Sequence, residues 1–153
     1  MSKIIRATIF DNGIAKIKYE TIKYCLDRFK LAFENEFYLE AITLMESLIA
    51  DRLESRLTEL NKKAHTFETL GKLRNDLLKK EKSKNLVSII ETDLKEWTQL
   101  RNIAIHQAAK IEKDNPKDLT EFTKQSLITA KKGKTLFDKL NKEIKKERSL
   151  KIK

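Results

Sequence analysis

Apolar residues return every three or four positions along most of the chain, which is the spacing that puts side chains on one face of an α-helix. The pattern breaks at four polar stretches, around positions 35–36, 61–64, 79–85 and 114–116. Between the breaks it predicts five helices, spanning about Ile17–Glu34, Phe37–Asn61, Thr66–Lys80, Leu86–Ile111 and Asp118–Lys146. We therefore expect an all-α fold, a compact bundle of about five helices.

Individual residues sharpen the predicted helix ends. Pro116 ends the fourth helix, because proline cannot continue a helix and disfavours helical angles in the residue before it. Asp118 and Thr120 are candidate N-caps of the last helix, and Gly133 predicts a weak point inside it. Residues 1–13 are compatible with a turn or a short strand, and the sequence does not decide between them.

Composition narrows the class of protein. The chain has 153 residues and a formal net charge of +10, with one Cys, two His, one Pro and three Gly. This length favours a single domain over residues 1–153. One Cys excludes an internal disulfide, and one Cys with two His does not make a cysteine–histidine zinc set. So few Pro and Gly argue against β-sandwiches, barrels and nucleotide-binding βαβ units. We expect no metal and no cofactor.

The distribution of apolar and charged residues suggests location and partners. No stretch approaches the ~18–20 apolar residues of a membrane span, and the apolar run in 1–10 is too short for a signal peptide. We expect a cytoplasmic protein without a membrane partner. Residues 131–153 hold ten Lys or Arg and three Asp or Glu. This basic helix end suits a phosphate backbone or an acidic partner, although a solvated helix end explains it equally well.

Charged residues within the apolar stripes are the most informative positions. On a helical wheel Glu46 falls in the apolar arc of the second helix, and Arg101 in that of the fourth. A buried charge costs several kcal/mol unless it is paired. Either the two form a structural ion pair, or Arg101 reaches the surface, or a pocket holds a functional charge. Arg52 and Arg56 similarly suit either a phosphate-binding surface or salt bridges with neighbouring acids.

The sequence Arg101-Asn102-x-x-x-His106 suits phosphodiester chemistry. The guanidinium of an arginine neutralises phosphoryl oxygens, and a histidine exchanges protons near neutral pH. RNA supplies its own nucleophile, the 2′-hydroxyl, so such a site needs no metal. Five residues on a straight helix place Arg101 and His106 about 140° and ~7.5 Å apart. We therefore expect a poor pair within one chain, and a two-fold dimer that brings two such pairs into one cleft.

This pattern resembles the RxxxxH motif of the HEPN superfamily, and the stretch 38–49 is similar to an early helix of that family. The resemblance covers roughly residues 18–146. It implies a helical bundle, usually a homodimer, and often a metal-independent ribonuclease of toxin–antitoxin or antiviral defence systems. It assigns Arg101 and His106 to the catalytic pair, Asn102 to the polar residue after the Arg, and Glu46 to an accessory position. Ala108 stands where subfamilies inactivated by nucleotidylation carry a Tyr, which argues against an antitoxin acting by that route.

The leading hypothesis is a homodimeric endoribonuclease, with RNA as substrate and an antitoxin or other defence protein as a further partner. Arg101 would bind the scissile phosphate, His106 would act as general base or acid, and Asn102 would orient one of these groups. The main alternative is a non-catalytic HEPN-like module that binds RNA, nucleotide or a protein. A helix-turn-helix DNA binder is disfavoured, because no short helix pair joined by a Gly-containing turn stands out.

Overall fold

The computed structural model describes residues 13–62, 68–106 and 118–151, and these residues are almost entirely helical. In chain order the elements are α1 (Ile14–Glu34), α2 (Tyr38–Asn61), α3 (Leu70–Leu78), α4 (Lys84–Ser88), a π-helical segment (Ile89–Asp93), α5 (Leu94–His106) and α6 (Leu119–Leu150). The π-helical segment joins α4 and α5 without a break. The predicted all-α bundle is confirmed.

The first two helices form an antiparallel hairpin whose turn lies at the predicted break. Glu36 adopts a left-handed conformation with φ of 61°, and the Phe37 N–H donates to the Ala32 carbonyl at 2.8 Å. The rings of Phe33 and Tyr38 meet edge to face across the turn, with centroids 5.5 Å apart. Lys18 reaches Asp51 at 2.6 Å towards the other end of the pair.

The bounds of the later helices differ from the prediction in places. α3 begins at Leu70, because the Thr69 hydroxyl accepts a hydrogen bond from the Lys72 N–H at 3.3 Å and so forms the N-cap. The predicted fourth helix corresponds to the continuous run from α4 to α5. The described residues do not include the predicted end of this helix or the predicted break at 114–116. They also do not include residues 1–12, where the sequence allowed a turn or a short strand. α6 starts after Asp118, and the Asp118 side chain accepts from the Thr120 N–H, so the first of the two predicted caps is confirmed. Thr120, the other candidate, lies inside the helix and is not the cap.

The predicted weak point at Gly133 is wrong, since α6 continues unbroken through it. Gly133 is instead a packing residue. A Cβ added there would lie 2.8 Å from Trp97 Nε1 and 3.1 Å from Met45 Cγ, so only glycine allows this close approach. The Trp97 indole N–H donates to the Thr129 carbonyl at 3.0 Å, which fixes α5 against α6.

α2 lies at the centre of the bundle and packs against α1, α3, α5 and α6. The buried apolar residues of the described helices form one cluster. Its largest fully buried side chains include Trp97, as the sequence predicted, together with Ile42, Met45, Ile49, Leu53, Leu57, Leu77, Leu86, Ile90, Leu94, Leu140 and Ile144. No helix among the residues described has the length and apolar character needed to cross a membrane.

Candidate functional site

Arg101 lies one helical turn after the buried Trp97, on the face of α5 that packs into the bundle. It is 8% exposed, in line with its predicted position in the apolar arc. Glu46 lies on the central helix α2, opposite this part of α5. Its carboxylate is 2.9 Å from Arg101 Nη2, so the predicted ion pair between Glu46 and Arg101 is present.

The same guanidinium contacts the other two predicted site residues. Arg101 Nη1 donates to Asn102 Oδ1 at 2.7 Å and lies 3.0 Å from His106 Nε2. The structure therefore brings Glu46, Arg101, Asn102 and His106 together in one cluster within a single chain. We call these four residues the Arg101 cluster.

The contact between Arg101 and His106 corrects the expectation that the two residues pair poorly within one chain. Helical-wheel directions describe the Cα–Cβ bonds, which do diverge by about 140°. The guanidinium, however, stands at the end of a long flexible stem, so it can reach a side chain whose Cβ points in another direction. The long Arg101 side chain therefore contacts His106 although the Cα–Cβ bonds of the two residues diverge.

The contact also indicates which role the His106 ring nitrogen takes in this hydrogen bond. A guanidinium has N–H donors and no acceptor, so Nε2 must carry a lone pair and accept the hydrogen bond. His106 is exposed, and Arg101 already contacts its Nε2.

The Arg101 cluster is open on one side and closed on the other. The side chain of Glu46 is 31% exposed, compared with 10% for that of Arg101. Among the residues that the structure describes, buried Arg101 Nε has no hydrogen-bond partner. The cluster thus holds a cation whose charge is balanced by a partly solvated carboxylate, next to an exposed imidazole. An anion approaching from the open side could replace Glu46 on the guanidinium, because both bind as oxygen acceptors.

The second pair of arginines on α2 is engaged internally, as the salt-bridge interpretation predicted. Arg52 pairs with Asp51, and both its Nε and its Nη2 donate to the same carboxylate oxygen. Arg56 Nη1 lies 3.5 Å from Glu59. The main partner of Arg56 is Glu81, which sequence reasoning did not identify. Nε donates to Glu81 Oε2 at 2.7 Å and Nη2 to Oε1 at 3.0 Å.

Glu81 is the most deeply buried acid of this second group, with a side chain 1% exposed. The N–H groups of Lys82 and Ser83 each donate to its Oε1 at 3.0 Å. Burial raises the pKa of the Glu81 carboxyl, but the hydrogen bonds and the charge of Arg56 outweigh burial and hold the pKa below its ordinary value of 4.5. The carboxylate is therefore the stable form in the folded protein. We call Arg56, Glu59, Glu81 and Arg148 the Arg56 cluster.

Many cations of the basic helix end are paired rather than free. Arg148 pairs with Glu59 and donates to Ser55 Oγ at 3.1 Å, which joins the end of α6 to α2. Other cations of α6 contact acids on α5, the π-helical segment or α6 itself, namely Lys132 with Glu96, Lys134 with Asp138, Lys139 with Asp93 and Lys146 with Glu143. A good part of the charge excess is therefore compensated locally.

Within the described residues, no group of three or more His, Cys, Asp or Glu side chains is arranged to hold a metal ion. No protein-family model, curated protein or solved structure matches the chain. The site is thus characterised by its own geometry, and the resemblance to the HEPN superfamily stays a prediction.

Proposed function

We propose that the protein is a metal-independent endoribonuclease whose site is the Arg101 cluster. The observation that supports this most directly is the 3.0 Å contact between Arg101 and the exposed imidazole of His106, next to Asn102. A phosphate-binding cation and a proton-exchanging group then stand side by side, as cleavage of RNA through its own 2′-hydroxyl requires.

The two side chains divide the chemistry between them. Arg101 moves from Glu46 and His106 to the scissile phosphate and stabilises the charge that develops on its oxygens. This movement frees His106 Nε2 to accept the 2′-hydroxyl proton. The 2′-oxygen bonds to phosphorus, the bond to the 5′-oxygen breaks, and the net proton transfer is from the 2′-hydroxyl to the 5′-oxygen. The products are a 2′,3′-cyclic phosphate and a 5′-hydroxyl end.

A homodimer and a role in a toxin–antitoxin or antiviral defence system belong to the same proposal. They rest on the family resemblance, since one chain already brings Arg101 and His106 together. A two-fold dimer would place the open sides of two Arg101 clusters in one cleft. One imidazole could then serve as base and the other as acid, which divides the two proton transfers between the chains.

The decisive test is cleavage of single-stranded RNA with chelator present. We expect the unmodified chain to produce 2′,3′-cyclic phosphate ends, and His106→Ala to lower the rate by at least about 100-fold, the usual contribution of general acid–base catalysis. The chain offers matched controls. His65→Ala removes the other histidine, and Asn75→Ala removes the amide next to Arg74, whose guanidinium also contacts its neighbour, at 3.4 Å.

Three results would contradict the proposal. One is full activity of His106→Ala, and a second is a strict requirement for a divalent metal. The third is an equal loss of activity in Asn75→Ala and Asn102→Ala, which would show that the Arg101 cluster has no special role.

The alternative is a non-catalytic helical module that binds RNA, nucleotide or a protein. The ion pair between Arg101 and Glu46 favours it, because a paired arginine can be purely structural. This alternative predicts that Arg101→Ala and His106→Ala leave function intact, while neutralising the cations of the 131–153 region abolishes it.

A further inference from the structure

An open cleft of about 690 Å³ lies between the end of α2, the α3–α4 connection and the end of α6. Its lining includes Lys79, Lys80, Lys82 and Lys151, with Arg56 and Glu81 beneath them. We call this the lysine cleft. All four lysines are exposed, and none of the residues that line the cleft is aromatic.

The Arg56 cluster explains why the cleft is so basic. The connection reads Lys79-Lys80-Glu81-Lys82-Ser83, and Glu81 is its one acid. Because the Glu81 carboxylate is turned inward to Arg56, it does not neutralise the lysines that the connection presents to solvent, although Lys79 lies 3.9 Å from Asp76. Glu147 is the one acid in the lining besides Glu81. Within the described ranges, Lys80, Lys82 and Lys151 form no ion pair.

The distance between the lysine cleft and the Arg101 cluster is short enough for one RNA strand to contact both. Arg56 follows Glu46 by ten residues on α2, which corresponds to ~15 Å along the helix axis and about 80° around it. A short single strand held at the Arg101 cluster could extend over this distance. Lysines bind phosphates as flexible point charges, and a surface without aromatic side chains offers no stacking platform for bases.

We infer that the lysine cleft binds the sugar–phosphate backbone of single-stranded RNA, a few nucleotides from the bond that is cleaved. This inference rests on the proposed function for its substrate. It assigns to Lys80, Lys82 and Lys151 a sequence-independent contribution to affinity, separate from the chemistry at His106.

The test measures binding of a labelled single-stranded RNA at several salt concentrations, in a His106→Ala background that blocks cleavage. Each lysine–phosphate contact on a single strand contributes about 0.7 to the slope of log affinity against log salt. Lys80→Gln, Lys82→Gln and Lys151→Gln together should therefore reduce the slope by about 2 and the affinity at 0.1 M salt by about 100-fold. Circular dichroism confirms that the variant is folded.

The matched control is Lys16→Gln, Lys23→Gln and Lys30→Gln on α1, which removes the same charge from another exposed surface. We expect this control to change the slope by less than about 0.5. An unchanged slope in the cleft variant, or equal changes in both variants, would overturn the inference. If the unmodified chain binds RNA but does not cleave it, the proposed nuclease is wrong, and the slope comparison still decides the role of the cleft.

Discussion

The two arginine clusters share a helix and a chemistry, but they differ in how fully each guanidinium is enclosed. α2 supplies the acid to one cluster, through Glu46, and the cation to the other, through Arg56. In the Arg56 cluster the side chains of Arg56 and Glu81 are 2% and 1% exposed. In the Arg101 cluster the carboxylate is partly solvated and the imidazole is exposed.

This difference separates a fully enclosed ion pair from one that solvent reaches. The bidentate pair of Arg56 and Glu81 leaves no room for an incoming anion, and removing either partner would leave a buried charge. The proposed function requires Arg101 to exchange Glu46 for a phosphate, and the partial solvation of that carboxylate favours such an exchange. We conclude that the Arg56 cluster fixes the α3–α4 connection to the bundle, and that the Arg101 cluster is the better place for chemistry.

The largest predicted effect on stability comes from breaking the Arg56 cluster. Glu81→Gln leaves Arg56 buried without its main counter-charge, and we expect the free energy of unfolding to fall by ~3–5 kcal/mol. Urea denaturation measures it, with the exposed Glu91→Gln as control. The double variant Arg56→Met with Glu81→Gln should lose less free energy of unfolding than the sum of the losses of Arg56→Met and Glu81→Gln, because it leaves no unpaired charge. Strict additivity would contradict the coupling.

The sequence predicted more about the Arg101 cluster than about the Arg56 cluster, for a physical reason. Helical periodicity reports which backbone direction is buried, so it placed Arg101 in the apolar arc and gave an ion pair with Glu46 as one of three interpretations. It does not describe where a long side chain ends, so it missed the contact with His106. Glu81 lies in a polar run that resembles a solvated loop, and its burial depends on packing against α2.

Acid should weaken the Arg56 cluster by protonating Glu81. Because the pKa of Glu81 is below 4.5 in the folded protein, its contribution is fully present above pH 4.5 and is lost as the pH falls through the folded value. Asp51 acts in the same direction. Burial raises its pKa, but the charges and hydrogen bonds of Arg52 and Lys18 together outweigh burial and hold the pKa below its ordinary value of 3.8.

We therefore expect the free energy of unfolding to decline below pH 4.5, with each such carboxyl contributing at most about 1.4 kcal/mol per pH unit. Urea denaturation at a series of pH values measures the decline. Glu81→Gln should flatten it, whereas the exposed Glu91→Gln should not. If the free energy of unfolding of Glu81→Gln declined below pH 4.5 as steeply as that of the unmodified chain, Glu81 would not contribute to the pH dependence.

The smallest predicted effect decides whether Arg101 is free to act. Glu46→Gln should reduce the free energy of unfolding by only about 1 kcal/mol, because the carboxylate is partly solvated and glutamine keeps an oxygen that can accept from the guanidinium. The exposed Glu40→Gln on the same helix is the control. A loss as large as that of Glu81→Gln would mean that Arg101 is held as firmly as Arg56. An arginine held that firmly could not move to a phosphate, so this measurement of stability also tests the mechanism.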